Sequence, residues 1–499
     1  MGAQAVQFDE LNPEGGRGSD RADGASLERA HQHYSRGVAC EKEGRLSEAL
    51  AHYQAACDLG PDHAPAHNNA GVLRQQFGQL SEAIAAYRRA VDVDPRFGLA
   101  WFNLGNALRE DNRLEEAVQC YRHALALLPA DDETRINLAI TLRDLRRFDE
   151  SLAELDQVPS TSPHIVKARL NRGSVHLTRG ELAVGWDHYD ARLEAESDFG
   201  PIGVDRWDGT PLSGRPMLIR SEQGIGDQVM FASCLPDLLS DDDAARKAGA
   251  CFVECDARLV PLFARSFPQV TAFAKTVDPF ALPALGPGGV VASLGTLPRF
   301  LRRRVENFPQ TPAYLRPDPE RVAAWRSRFA RLGSALKVGI SWQGGKEPEI
   351  RRRRSIPLDL WGPIFAVPGV RFVNLQYGPA AAESVRVQQR LGVPLDDGSE
   401  CDPLVDLDDF AARLAALDLV LTVDNSTAHL AAAIGKPVWT LLPWTADWRW
   451  MLDRETTPWY PTMRLLRCQA ADQWGDLLRQ TARRLTAAVF SRDFFGRAA

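Results

Sequence analysis

The stretch Asp418–Pro443, DLVLTVDNSTAHLAAAIGKPVWTLLP, reads as strand, polar turn, helix and strand, and it decides how the second half of the chain folds. Leu419–Val423 is short, apolar and rich in β-branched residues, as a strand buried on both faces of a parallel sheet must be. Asp424, Asn425, Ser426 and Thr427 are N-cap residue types placed just before an Ala-rich helix that Gly435 and Pro437 end. The free N–H groups of such a turn, Ala428 included, and the positive end of the helix dipole favour an anion by about 0.3–2 kcal/mol per charge. The diphosphate of a nucleotide fits that description.

Bulk properties narrow the setting. A chain of 499 residues with 44% hydrophobic content suits about three domains with packed cores. A net charge of -6 and a pI near 6.0 leave no basic footprint for nucleic acid. The amino terminus lacks an apolar core of signal-peptide length, and no run approaches the roughly 18 apolar residues of a membrane span, so a cytoplasmic protein is expected. Cys251 and Cys255 lie in a strand-like stretch without a second ligand pair, which implies buried free thiols rather than a disulfide framework or a zinc site.

Upstream, a strict period of 34 residues runs between about Leu27 and Leu193. Gly37, Gly71, Gly105 and Gly173 share one register, with Ala139 at the fourth place, and Tyr53, Tyr87, Tyr121 and Tyr189 share another. Ala49, Ala83 and Ala117 repeat likewise, and Pro61, Pro95, Pro129 and Pro163 close each unit. This is the tetratricopeptide (TPR) pattern of stacked helical hairpins, in which small residues allow close helix approach and an aromatic fills the space between units. About five units are expected over residues 27–195, after a disordered segment 1–26. The fourth is degenerate, with Ser151 and Leu155, and the fifth serves as a cap.

Asn69, Asn103, Asn137 and Asn171 recur at one position of four consecutive first helices, although the chain has only eleven Asn. An amide offers acceptor and donors together and can pair with a peptide backbone. The ladder resembles that of the TPR superhelix of O-GlcNAc transferase, which implies a groove holding an extended protein acceptor; the alternative is that these amides bond only their neighbours. Phe102, Asn106, Arg109 and Arg143 are expected to share the groove.

After a linker, 196–215, whose RWDGTPLSGRP packs on the next domain, PMLIRSEQGIGDQVMFASCLPDLL reads as strand, glycine loop and helix. Val229 stands where a dinucleotide fingerprint needs its third glycine, so that motif fails. Short strands to Ser293 complete one α/β lobe, 216–318. A second lobe, 319–499, holds strands Lys337–Ser341, Arg371–Leu375 and the opening stretch.

EQGIGDQVMFASCLP, KVGISWQGG, RRSIPLDLW, VDNSTAHLAAAIGKPVWTLLP and DWRWMLDRETTPWYPTMRLLR occur in that order. The chain thereby resembles bacterial TPR-linked glycosyltransferases related to the lipopolysaccharide heptosyltransferases. The resemblance implies an α plus α/β architecture: an all-α TPR solenoid followed by a two-lobed GT-B fold of twin Rossmann-like domains. It implies an inverting transfer without metal or other cofactor, acceptor on the first lobe, nucleotide-sugar on the second, and a C-terminal crossover helix. The expected acceptor is a protein held in the TPR groove, flagellin by analogy with bacterial flagellin glycosyltransferases of the same plan; a saccharide or lipid-linked glycan acceptor, or a scaffold whose transferase domain is inactive, are the alternatives.

Inverting transfer needs a base for the acceptor and a stabiliser for the departing phosphate. Asp227 matches the Asp of the family's Gly-Asp loop, with Gln223, Gly224 and Gly226 beside it, and reads as base or as helix N-cap. His429 is the only imidazole beyond His188; it matches donor-site residues of the family and reads as a hydrogen-bond donor to phosphate or as a buried structural residue. Arg354 and Ser355 match the family's Arg-Ser-Ile-Pro, while Arg351–Arg353 read as surface. Trp342 and Gln343 end a strand where they touch the nucleotide or enter the core. Asp241–Asp243 follows a helix rather than a central strand and is not read as a metal site. The cluster Trp444, Trp448, Trp450, Trp459 and Tyr460 is expected to pack the second lobe against the first, through the final helix, or to form a sugar platform.

Overall fold

A computed structural model describes residues 21–194, 204–240, 247–276, 283, 285–345, 347–378, 381–392, 395–396, 402–471 and 473–494. It divides into two units, Met1–Val175 and His176–Ala499.

The first unit is built from helix pairs: Arg21–Lys42 with Leu46–Leu59, Ala64–Gln76 with Leu80–Val93, Gly98–Glu110 with Leu114–Leu127, and Asp132–Asp144 with Phe148–Asp156, followed by Ile165–Thr178. The period explains the packing. A Cβ on Gly37, Gly71 or Gly105 would stand 2.7 Å from the ring of Tyr53, Tyr87 or Tyr121 respectively, so only glycine lets each tyrosine lie flat on the opposing helix. All three rings are fully buried. In the degenerate fourth hairpin Ser151 replaces alanine and donates to the carbonyl of Ala139 at 2.6 Å, which satisfies a hydroxyl that would otherwise be buried alone. The segment 1–20 lies outside the described residues, and 21–26, expected to be disordered, open the first helix.

The second unit begins with the end of the helix Ile165–Thr178 and the helix Leu182–Tyr189. The fifth hairpin thus divides between the two units, about twenty residues ahead of the boundary expected from the period, because its second helix carries Trp186 and Tyr189, and the turn Asp190–Leu193 after it carries Arg192, into the packing of the following lobe. Two sheets follow. The first has five parallel strands in the order β1-β5-β2-β3-β4, with β1 Asp205–Arg206, β2 Met217–Arg220, β3 Cys251–Cys255, β4 Val270–Ala274 and β5 Val290–Ser293. Part of the expected linker therefore belongs to this sheet, since β1 pairs with β5 and Trp207 packs on Phe300. The second sheet has seven strands in the order β11-β12-β10-β9-β6-β7-β8: β6 Leu336–Ser341, β7 Val370–Asn374, β8 Leu395–Asp396, β9 Leu419–Val423, β10 Val438–Leu442, β11 Thr456–Thr457 and β12 Tyr460–Arg467. Only β11 is antiparallel.

β9 and β10 are buried at every residue, as apolar runs in a covered parallel sheet should be. The final helix, Trp474–Ser491, was expected to cross to the first lobe; instead Leu477, Leu478 and Leu485 join the core of the second sheet with Trp342 and Trp361. The bridging is done by the segment 448–460. Trp448 and Trp459 contact Phe231 of the first lobe, at ring separations of 6.5 and 6.0 Å, and Trp459 also meets Phe308 edge-on at 4.8 Å. Cys251 and Cys255 are buried free thiols, each pushed up to about 12 by burial.

Candidate active site

The turn after β9 is fixed by one side chain. Asn425 Oδ1 accepts from Ala428 N at 3.2 Å as an N-cap, and from Thr422 Oγ1 at 3.1 Å. Its Nδ2 donates to Ser341 Oγ at 2.8 Å and to the Gln343 carbonyl at 3.1 Å, tying the turn to the loop that leaves β6. That loop approaches so closely that a Cβ on Gly344 would lie 2.3 Å from the Asp424 carbonyl. Gln376 Oε1 secures the loop from the other side, accepting from Ser341 Oγ and from the N–H groups of Trp342 and Gln343 at 2.9–3.0 Å. Ser355 Oγ accepts from Gly344 N at 3.2 Å, and Ser426 Oγ pairs with Tyr377 Oη at 2.9 Å. Trp342 is fully buried with its Nε1 donating to Glu383 at 2.8 Å, and Gln343 is half-buried beside the same carboxylate. Thr427 is buried in the first turn of the helix Ser426–Ala433, its hydroxyl without a partner.

Asp227 sits in the first turn of the helix Ile225–Ala232, which follows β2 with Gly224 as N-cap. That helix packs against Ser426–Ala433 of the other lobe, and Gly226 marks the crossing: a Cβ there would be 3.1 Å from His429 Cδ2 and 3.5 Å from Ser426 Cα. Arg449 Nε donates to Asp227 Oδ1 at 2.7 Å, and its Nη1 pairs with Asp447 Oδ1 at 2.5 Å. Arg354 Nη2 pairs with Asp447 Oδ2 at 2.8 Å, and its Nε with Asp424 Oδ2 at 3.2 Å. Five charges thus alternate in one row, Asp227, Arg449, Asp447, Arg354, Asp424, from the candidate base to the end of β9.

The row shifts its members' protonation. Burial raises the Asp424 carboxyl, with Arg354 only partly offsetting it. At Asp447 burial works in the same direction but Arg449 and Arg354 together outweigh it, holding that carboxyl well below the usual range. His429 is 3% exposed, and burial followed by the charge of Arg449 holds its pKa down to about 3. Its Nδ1 lies 2.9 Å from Tyr460 Oη and its ring stacks on Trp450 at 5.0 Å. The imidazole is therefore neutral, and its place is at the contact between the lobes.

Among the groove residues, Asn69, Asn103 and Asn137 are buried and Asn171 half-buried. Asn103 Nδ2 donates to Asn68 Oδ1 at 3.0 Å, Asn68 Nδ2 to Asn69 Oδ1 at 3.1 Å, and Asn137 Nδ2 to Asn106 Oδ1 at 3.1 Å. Asn106 Oδ1 also accepts from Tyr121 Oη at 2.8 Å, and Asn171 Nδ2 donates to the Lys167 carbonyl at 2.8 Å. Phe102 and Arg109 are buried, whereas Arg143, half-buried, pairs with Asp144 at 3.0 Å. The ladder recurs as a register, and its amides bond asparagines outside that register, Asn68 and Asn106, or, at Asn171, the helix that carries it.

Residues that sequence reasoning passed over are Arg449, Asp447, Gln376 and Tyr377. Asp447 and Arg449 stand in DWRW, a quoted motif, and their alternation with tryptophan hid two charges among packing residues. Asp241–Asp243 lies outside the described residues. Among the described residues no group of three or more His, Cys, Asp or Glu is arranged to hold a metal ion, and no helix is long and apolar enough to cross a membrane.

Comparison with known proteins defines the class. Residues 21–64, 68–132 and 108–168 match tetratricopeptide-repeat models, and residues 373–469 match glycosyltransferase family 9 (heptosyltransferase). The chain carries N-terminal TPR repeats followed by a family 9 glycosyltransferase domain. The matched segment includes Asn425–His429 and Asp447–Arg449, while Asp227, Trp342, Gln343 and Arg354 lie ahead of it. Protein FlbA of Caulobacter vibrioides (strain ATCC 19089 / CIP 103742 / CB 15) is 34% identical over 348 residues, or 67% of this chain, and the chain spans 56% of FlbA's length. Of the solved structures, the TPR protein YrrB is 21% identical over 36% of this chain and 94% of its own, with a TM-score of 0.32. MamA from Desulfovibrio magneticus RS-1 is 15% identical over 34% of this chain and 98% of its own, also with a TM-score of 0.32. Both likenesses are too slight to carry an argument.

Proposed function

We propose that the chain is an inverting glycosyltransferase that moves a sugar from a nucleotide-sugar to a protein recruited by its TPR region, with flagellin as one acceptor of suitable kind by analogy. One observation carries the reading: the helix bearing Asp227 touches the helix that opens at Asn425–Ala428, and a continuous row of ion pairs joins the two. In the proposed step Asp227 takes the proton of an acceptor hydroxyl as its oxygen bonds to the anomeric carbon. The C1–O bond to phosphate breaks with its electron pair leaving on the nucleotide, and attack from the far side inverts the anomeric centre. The N–H groups of Ser426 and Thr427 and the guanidinium of Arg354 receive the phosphate charge, whereas the N–H of Ala428, expected to join them, is taken by the Asn425 cap. Trp342, fully buried, supports the loop rather than touching the nucleotide, and His429 supports the lobe contact.

The groove reading shifts with the geometry. Buried amides cannot meet a peptide without rearrangement, so the half-buried Asn106, Arg143 and Asn171 are the more accessible part of the proposed protein-binding set.

The experiment is mass spectrometry of cellular proteins with and without the gene, paired with release of nucleotide from a panel of nucleotide-sugars by the purified chain. A protein mass increment that depends on the gene and disappears in Asp227→Ala supports the reading. A wild-type chain that transfers to a saccharide and to no protein replaces the acceptor, and one inert towards every donor in the panel leaves a scaffold.

A further inference from the structure

We propose that Tyr189 and Arg192, at the tail of the last helical hairpin, are positioning residues of the transferase that hold the loop Glu222–Gly224 in place for Asp227. The inference rests on the reading of Asp227 as the acceptor-side base.

The repeat register makes Tyr189 unusual. Its equivalents keep their hydroxyls inside their own hairpins: Tyr53 donates to Glu41 at 2.6 Å, Tyr87 to Gln75 at 3.1 Å and Tyr121 to Asn106 at 2.8 Å. Tyr189 Oη instead accepts from Gln223 Nε2 at 2.7 Å. Its ring meets Trp448 edge-on at 5.2 Å, one residue from Arg449. The charges of Arg449 and Asp227 both act on its hydroxyl, which burial pushes up to about 12. It is therefore a neutral phenol in the neighbourhood of the ion-pair row. Gln223 is held at both ends, because its carbonyl accepts from Gln228 Nε2 at 2.8 Å.

Arg192 fixes the neighbouring position. Its Nε and Nη2 converge on Glu222 Oε1 at 3.1 and 3.0 Å, and Nη2 also donates to Ser293 Oγ at 3.1 Å and Thr296 Oγ1 at 3.2 Å. Nη1 returns to Asp190 Oδ1 at 2.9 Å and to the Tyr189 carbonyl at 3.1 Å. One guanidinium thus ties the loop after β2 to the turn after β5, a span that only the planar fork of arginine serves. The backbone makes room for it: a Cβ on Gly295 would lie 2.7 Å from both Arg192 Nη2 and Glu222 Oε1. With its side chain 11% exposed and lying 4.5 Å over the Tyr189 ring, Arg192 makes one unit with that tyrosine. A segment whose sequence is a repeat cap therefore reaches the candidate catalytic loop.

Tyr189→Phe removes one hydroxyl and keeps the ring. The full chain is used for three measurements: nucleotide release from a panel of UDP-, GDP-, ADP- and CMP-sugars, affinity for the free nucleotide of the best donor, and amide hydrogen exchange over residues 221–228. The expected result is a fall in kcat of about three- to tenfold, the size of one lost neutral hydrogen bond, with nucleotide affinity unchanged and faster exchange confined to 221–228. Arg192→Lys, which keeps the charge and loses the fork, gives the same pattern at larger amplitude. Wild-type kcat and exchange in Tyr189→Phe overturn the proposal and leave the transferase reading standing. Faster exchange throughout the unit with a lower Tm also overturns it, because the tyrosine is then a packing residue only. A wild-type chain that binds no nucleotide and releases none overturns the transferase reading and the proposal with it.

Discussion

Gly226→Ala tests the contact between the two lobes with a single methyl group. A Cβ at that position stands 3.1 Å from His429 Cδ2, against about 3.5 Å for the near edge of an ordinary carbon–carbon contact. The shortfall is roughly 0.4 Å. His429 has no room to give way, since its ring stacks on Trp450 at 5.0 Å and its Nδ1 is bound to Tyr460 at 2.9 Å. The helix Ile225–Ala232 must therefore move, and Asp227 moves with it. Overpacking of this kind costs about 1–3 kcal/mol, and exchanging glycine for alanine in a helix returns about 1 kcal/mol, so the net loss of stability is about 0–2 kcal/mol. The effect on rate is larger than the effect on folding. A 1 Å displacement of a catalytic group costs on the order of 100-fold, which scales to about five- to tenfold for this shift. The assay is kcat for nucleotide release from the best donor of the panel, with a thermal melt beside it. Gly224→Ala is the control, because the nearest atom to its added Cβ is Asp227 Oδ2 at 3.9 Å. Equal rates for wild type, Gly224→Ala and Gly226→Ala would refute the claim that this contact sets the position of Asp227.

Gly105→Ala places a methyl 2.7 Å from Tyr121 Cε1; after the helix-propensity gain a loss of about 0–2 kcal/mol is expected, towards the upper end because the contact is tighter than at Gly226, read as a lower unfolding midpoint of the first unit. His429 carries a pH signature: its folded pKa of about 3 lies below the unfolded 6.5, so the unfolded state binds the extra proton and stability falls as pH drops from 6.5 towards 3. Between pH 6.5 and 5 this amounts to about 2 kcal/mol, and urea titrations at the two pH values should show a smaller fall in His429→Gln. Arg449→Gln leaves Asp227 and Asp447 each without the guanidinium they share, and a destabilisation of about 2–3 kcal/mol is expected for this partly buried site. A double-mutant cycle with Asp227→Asn should return a coupling of about 1–2 kcal/mol, and additivity within error would show that the pair contributes nothing.

What could be read before any coordinates follows from how local each signal is. The tyrosine and glycine registers are set by contacts within one hairpin, so a 34-residue period displays them directly. Asn425 as a cap and Leu419–Val423 as a buried strand are equally local. The ion pair of Asp227 with Arg449 joins residues 222 positions apart, and nothing in either neighbourhood announces the other. The asparagine ladder shows a different limit. Its register was legible and its orientation was not, because whether an amide meets solvent or Asn68 depends on how adjacent hairpins pack. Tyr189 was assigned by its register to the solenoid, whereas its hydroxyl serves the next lobe.

The row from Asp227 to Asp424 has three carboxylates and two guanidiniums, and so carries one negative charge beyond balance. A nucleotide phosphate docking at Asn425–Ala428 brings further negative charge to the end of that row, beside Asp424, whose carboxyl burial already biases towards holding a proton. Donor capture in the proposed reaction therefore adds negative charge to a row that already carries one in excess, and Arg354, the guanidinium paired with Asp424, is the group that offsets it. Calorimetry with the free nucleotide would read this as weaker binding in Arg354→Gln than in the wild-type chain.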